Sequence, residues 1–250
     1  SHERLLKHFE VQTLKGFGVE NMQAATTAAG AIMHYLDITQ HDKQKHISTL
    51  KRIENDRYVW LDRFTVRNLE LFPSGIDGTT SLIDILDQTL TPMGARMLKR
   101  WVALPLKDER VINMRLDSVE SFGHERETSE ELGETLRQVG DLERLVGKVS
   151  TMRITPRELL QLKRALYAIT PMKDQLKAMG CKHLDELAAS LDECDEAREK
   201  IEREIALDPP TLANKGGAIA EGVNEELDNL RQISTSSKDY LSAMQERLSS

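Results

Sequence analysis

Apolar residues along this chain recur mostly at three-and-four spacing, the signature of helices that bury one face. Residues 3–11 (ERLLKHFEV) give one short helix. Residues 21–39 give a second, alanine-rich and ending in Ile32, Met33, Tyr35 and Leu36, expected to be buried. Asp62 caps a short helix through RFTVRNLELF, FPSGIDGTT is a loop, and SLIDILDQ is another short helix. In LDQTLTPMGARMLKRWVALPL, residues 86–106, Thr91 before Pro92 marks a helix start and Pro105 its end. Met93, Met97, Leu98, Trp101 and Val102 share one face and are expected to form the packed hub. Arg96, Lys99 and Arg100 fall mostly on the other face, either solvated or aimed at another domain.

The helical pattern continues to the end. Leu132, Leu136, Val139, Leu142, Leu145, Val146 and Val149 make a long stripe. Thr155-Pro156-Arg157-Glu158 is a capping box, followed by Leu159, Leu162, Leu166 and Ile169. Residues 183–207 read as one charged helix stopped by Asp208-Pro209-Pro210. Two stretches depart from the pattern. Tyr58-Val59-Trp60-Leu61 is β-prone and pairs, on this reading, with Leu50–Ile53 across a turn at Asn55-Asp56, a small hairpin. KGGAIAEGVN reads as a strand or extended segment between glycine turns.

Residues 224–250 place Leu227, Leu230, Leu241, Met244 and Leu248 on a coiled-coil seam with Ser234 and Ser237 at its missing positions. Such a helix reaches on the order of 40 Å. A seam this narrow needs a partner helix, expected in chain beyond residue 250. The fold expectation is therefore mainly α: a multi-helix core bundle, a long protruding lever helix and one small hairpin. The polar run HDKQKH, 41–46, sets a domain boundary. The expected division is 1–45, 46–223 and 224–250.

Composition supports helices and narrows the chemistry. Of 250 residues 39% are hydrophobic, only 4% aromatic and 30% charged, with a formal net charge of −7. An acidic balance disfavours strong nonspecific binding to nucleic acid, which runs on phosphate neutralisation. Cys181 and Cys194, the two cysteines, lack metal-ligand spacing and fit a reducing compartment. No apolar run approaches a membrane span, and the opening Ser1-His2 resembles a tag remnant rather than a signal peptide.

Reactive constellations are missing from the pattern. Gly16-Phe17-Gly18 is too short for a dinucleotide fingerprint. Asp84 and Asp87 sit three apart, a paired-carboxylate site on paper but ordinary surface charge by weight. His34 reads as a core or boundary histidine. No nucleophile, base and orienter fall into a set.

Several segments together point to a family. DRFTVRNLELF, SLIDILDQTLTPMGARMLKRWVALPLKDERVINMRLDSV, VGDLERLVGKV, TPRELLQLKRAL, and DPP followed by GGAIAEGVNEELDNLR resemble, in order and spacing, the bacterial MutS family of DNA mismatch-repair ATPases. FGVEN and AGAIMHYLDITQ resemble the end of its connector domain. The resemblance implies the tail of a connector, a helical core and a descending lever, with the clamp and ATPase domains absent. It implies mechanical coupling between mismatched-DNA binding and ATP binding, with no chemistry in this stretch. No G-x-x-x-x-G-K-[ST] occurs in the sequence, so catalytic, cofactor and metal residues are expected to be none. ATP and Mg²⁺ would belong to the full-length protein. Its implied partners are mismatched double-stranded DNA, a second MutS subunit and a MutL-type protein, in the cytoplasm and without a membrane. Arg231, Lys238 and Arg247 on the terminal helix are the candidate DNA contacts. The competing reading is a generic helical adaptor for protein–protein contacts.

Overall fold

The computed structural model describes residues 1–39, 44, 46–53, 55–75 and 78–249, and describes side chains at all of these except 55, 213 and 238–249. Thirteen helices carry the described chain: α1 His2–Phe9, α2 Gln23–Ile38, α3 Arg63–Asn68, α4 Leu82–Leu86, α5 Pro92–Ala103, α6 Glu109–His124, α7 Arg126–Val139, α8 Leu142–Ser150, α9 Pro156–Tyr167, α10 Ile169–Ala178, α11 Lys182–Ser190, α12 Asp195–Glu204 and α13 Glu225–Ser249. Single 3₁₀ turns lie at Lys15–Phe17, Asn55–Arg57 and Ala213–Lys215. The fold is mainly α and multi-helical. Among the described residues β-pairing is limited to two isolated bridges, Tyr58 with Leu106 and Ile205 with Ile219.

The chain separates into two compact units. One comprises 1–154 with 168–193, and the other 155–167 with 194–250. The polar boundary expected at 41–46 lies largely outside the described residues.

Within the first unit α1 packs on α2 around Leu5, Leu14, Val19 and Met33, with Phe9, Phe17 and Ile47 against that cluster. The alanine-rich sequence of α2 allows this close approach, and Thr26, Gly30 and Met33 are its buried residues. Contrary to expectation, Ile32, Tyr35 and His34 are exposed: they lie off the stripe that faces α1. Further along, α10 packs with α7 and α11, and α6 with α7 and α11. Leu132, Val139, Ile169, Met172, Leu176, Leu184 and Ala188 are buried there. The Ser121 hydroxyl donates to the Met179 carbonyl at 2.6 Å, fixing α6 to the end of α10.

In the second unit α9 packs with α12. Leu162, Ala165 and Leu166 are buried, as is Pro209. Arg157 donates to the Pro209 carbonyl at 3.0 Å. Arg198 lies 4.4 Å over the Tyr167 ring, and the Tyr167 hydroxyl donates to Glu202.

Local chemistry sets most helix ends. Asp62, Thr91 and Asp108 accept from backbone amides at the starts of α3, α5 and α6. The Thr155–Glu158 capping box forms as read: Thr155 N–H donates to Glu158 at 3.0 Å, and Glu158 N–H to the Thr155 hydroxyl at 3.3 Å. Two long helices expected from periodicity are broken. Gly140, at φ 62°, separates α7 from α8, and residues 191–194 separate α11 from α12. The latter break is held by Glu193, which accepts from Thr170 at 2.5 Å and Lys173 at 2.9 Å. These bonds reward a turn where apolar spacing alone runs on.

The hairpin between 50–53 and 58–61 does not form. Residues 55–57 make a 3₁₀ turn, and Tyr58 pairs with Leu106 through Val59 N–H to Pro105 (2.7 Å) and Lys107 N–H to Arg57 (3.1 Å). The β-prone stretch is real, but its partner is distant in sequence. KGGAIAEGVN is extended at Ile219, whose neighbours bond Ala206 and Glu204.

Truncating Leu184 to Ala removes a side chain only 2% exposed and should cost about 3 kcal/mol in urea denaturation. Thr155→Ala, which removes one capping group, should cost about 1 kcal/mol.

Candidate functional site

The long helix α13 and the hub candidate α5 carry the residues singled out by sequence. Asn224 accepts from Leu227 N–H at 2.9 Å, capping α13. Asp228 accepts from Gly222 N–H at 2.7 Å and pairs with Arg231 at 3.0 Å. Arg231 also donates to the Ile219 carbonyl at 2.8 Å. The root of α13 is thus stitched to the extended segment before it. Arg231, offered as a DNA contact, is committed to that stitch and only 28% exposed. Lys238 and Arg247 have side chains outside the described residues, as do Leu241, Met244 and Leu248 of the seam. Of the rest of the seam, Leu227 is half-buried and Leu230 is 57% exposed; Ile233 beside it is 62% exposed. The stripe is partly covered at Leu227, near the root, and exposed at Leu230.

No residue of α5 is buried. Met93, Leu98 and Val102 are half-buried, while Met97 and Trp101 are 55% and 44% exposed. The expectation of a packed hub is corrected accordingly. Polar links add to the partial apolar packing of this helix. Arg96 grips Asp141 with two bonds, 2.7 and 3.0 Å, and Glu143 with two more, 2.6 and 3.1 Å. Asp141 also accepts from Arg144 N–H at 3.3 Å, so the same carboxylate caps α8 and receives α5. Trp101 lies under the Arg115 guanidinium of α6, 3.7 Å from its ring centre. The basic face is therefore not wholly solvated: Arg96 is turned onto α8.

Electrostatics follow these contacts. The Arg96 hydrogen bond, first among several causes, holds the Asp141 carboxyl below its ordinary value, and the reciprocal bonds raise Arg96. Asp84 and Asp87 do not act as a pair. Asp84 is absorbed by the Ser81 cap and Asp87 by Thr89, and each hydroxyl lowers its carboxyl. Cys181 and Cys194 are free thiols. Among the described residues no group of three His, Cys, Asp or Glu side chains is placed to hold a metal ion. None of the described helices is long and apolar enough to cross a membrane.

Residues 64–250 match the family model of MutS domain III, and residues 1–48 that of MutS domain II. The chain belongs to the MutS family. It is 54% identical over 247 residues to the DNA mismatch repair protein MutS of Phocaeicola vulgatus, covering 99% of this chain and 28% of that protein. It is 52% identical to that of Parabacteroides distasonis and 43% to that of Christiangramia forsetii, each over 99% of this chain and 28% of the relative. The chain thus spans little more than a quarter of these MutS proteins.

In this MutS-family chain the Arg96 grip was missed by sequence reading. Its signal was present: Asp141 stands at a helix start and Glu143 two residues on, but nothing local names an arginine about fifty residues earlier. The grip makes stability acid-sensitive. A carboxyl lowered by folding contributes above its ordinary value of 3.8 and loses that contribution as pH falls through the folded value. Arg96→Met should therefore lower the melting temperature at neutral pH. The gap to the native chain should close below pH 3.8 in thermal melts across pH.

Proposed function

We propose that this chain is a mechanical relay of a DNA mismatch-repair protein. It would couple the grip on mismatched double-stranded DNA to ATP binding in another part of the same protein. Its contribution is stiffness and attachment, and the chemistry would lie elsewhere, with ATP and Mg²⁺. In the full-length protein the same reading brings a second MutS subunit and a MutL-type partner, working in the cytoplasm.

One observation carries this reading: α13 runs 25 residues without a break, rooted at one end and exposed at Leu230 and Ile233. At 1.5 Å per residue it reaches about 37 Å. The root uses a carboxylate–guanidinium pair and three backbone bonds, so tilting the helix strains Ile219 and Gly222 directly. A stiff arm on such a root transmits rotation as displacement at its far end. Membership in the family of proteins named for DNA mismatch repair supports the assignment to that process.

Helix α13 passes unbroken through Ser234-Thr235-Ser236-Ser237, with Thr235 back-bonded to the Arg231 carbonyl at 3.0 Å. A helix breaker there tests the relay. In full-length protein, Ser234→Pro should leave ATP binding intact and reduce the nucleotide-linked change in mismatch-DNA affinity about tenfold. An adaptor role predicts no change in that coupling. Hydrogen exchange separates a soft point from plain close packing: amides 234–237 should exchange faster than those at 227–230. Equal protection would sink the soft point while leaving the relay standing.

A further inference from the structure

A cleft of about 480 Å³ lies in the first unit between α3 and the loop that leads to α4. Its walls come from two sides. Arg63 and Arg67, one helical turn apart, share a face of α3. Opposite them the loop contributes the hydroxyls of Ser74, Thr79 and Thr80. Val66 and Phe72 supply apolar lining, and Glu70 adds one carboxylate.

The loop is closed firmly at its base. Leu82 N–H donates to the Glu70 carbonyl at 2.8 Å and Ile83 N–H to Leu71 at 3.2 Å. Leu71 and Ile83 are buried beneath. Higher up, the Ser74 and Thr79 hydroxyls meet at 3.2 Å. Glu70 holds a left-handed conformation, φ 49°, to make this turn. Main-chain bonds and the buried Leu71 and Ile83 thus hold the base of the cleft.

Among the described residues that line the cleft, two guanidinium groups stand against one carboxylate, and neither arginine is in an ion pair. Like charges one turn apart repel, and an anion bound between them would relieve that repulsion. Planar guanidinium forks with hydroxyl donors opposite are suited to a tetrahedral oxyanion.

We propose that this cleft binds a phosphate group, held by Arg63 and Arg67 from one side and by the loop hydroxyls from the other. The site is separate from the relay and does not depend on it. Its test uses the 250-residue chain and inorganic phosphate, followed by ³¹P line broadening and calorimetry at ionic strength matched with chloride. Saturable binding is expected. Arg63→Gln and Arg67→Gln should each weaken it about tenfold, and the double variant should abolish it. Glu70→Gln, which keeps both arginines and removes the opposing charge, should tighten it. Arg110→Gln, elsewhere on the same unit, should change nothing. Circular dichroism checks that each variant stays helical; if an arginine variant unfolds, the Glu70→Gln result decides. Competition then identifies the source. Displacement of phosphate by a nucleoside monophosphate, but not by a DNA duplex lacking terminal phosphates, assigns a small phosphorylated ligand; displacement by that duplex assigns a backbone phosphate. Absence of saturation by phosphate, an unchanged double variant, an equal loss in Arg110→Gln, or no tightening in Glu70→Gln would overturn the proposal.

Discussion

A helix with a single apolar stripe is held in place only when something covers that stripe, since short helices are marginal alone in water. This requirement sorts the chain. Helix α10 meets it by packing with both α7 and α11, and its residues Ile169, Met172 and Leu176 are buried. Helix α9 meets it through α12. Helices α5 and α13 meet it least: Met97, Trp101, Leu230 and Ile233 all face outward. Where apolar cover is thin, ionic and capping contacts take over the task of fixing position, as Arg96 does for α5 and Arg231 for α13. Such contacts are directional, so they fix orientation at a small contribution to stability.

This contrast bears on function. A part meant to sit still is best buried, whereas a part meant to swing needs a defined pivot and free sides. In the proposed relay the pivot would be the root of α13, at Asp228, Arg231 and the Ile219 carbonyl, and the free side would begin at the exposed Leu230. A relay and a bound phosphate would be carried by different elements, α13 in one unit and α3 in the other.

Much of the fold was legible because its signals are local. Thr91-Pro92, Asp62 and the Thr155–Glu158 box each announce a helix start through a side chain a few residues from the amide it serves. Family membership was legible for a similar reason: many short segments kept their order. The errors share the opposite cause. Glu193 breaks an apparently continuous helix through bonds to Thr170 and Lys173, some twenty residues away. Tyr58 has β character, which sequence showed, and a partner at Leu106, which it did not. Apolar spacing in α5 marks the face correctly but cannot say whether that face is covered. The bonds of Arg231 to Ile219 and Asp228 were likewise not announced by its helical spacing. Arg63 and Arg67 drew no notice, since two basic residues at helical spacing are commonplace until a wall of hydroxyls stands opposite.

The Tyr58–Leu106 bridge has a kinetic consequence. The pairs α1–α2, α6–α7 and α10–α11 join helices adjacent in sequence, and local contacts of that kind form quickly. This bridge instead closes a ring of about 50 residues, and its chain-entropy cost falls due before its two main-chain bonds can repay it. Helices α3, α4 and α5 all lie inside that ring. The ring therefore favours late consolidation relative to those sequence-adjacent pairs: they can form on their own contacts, while this stretch waits for its ends to meet.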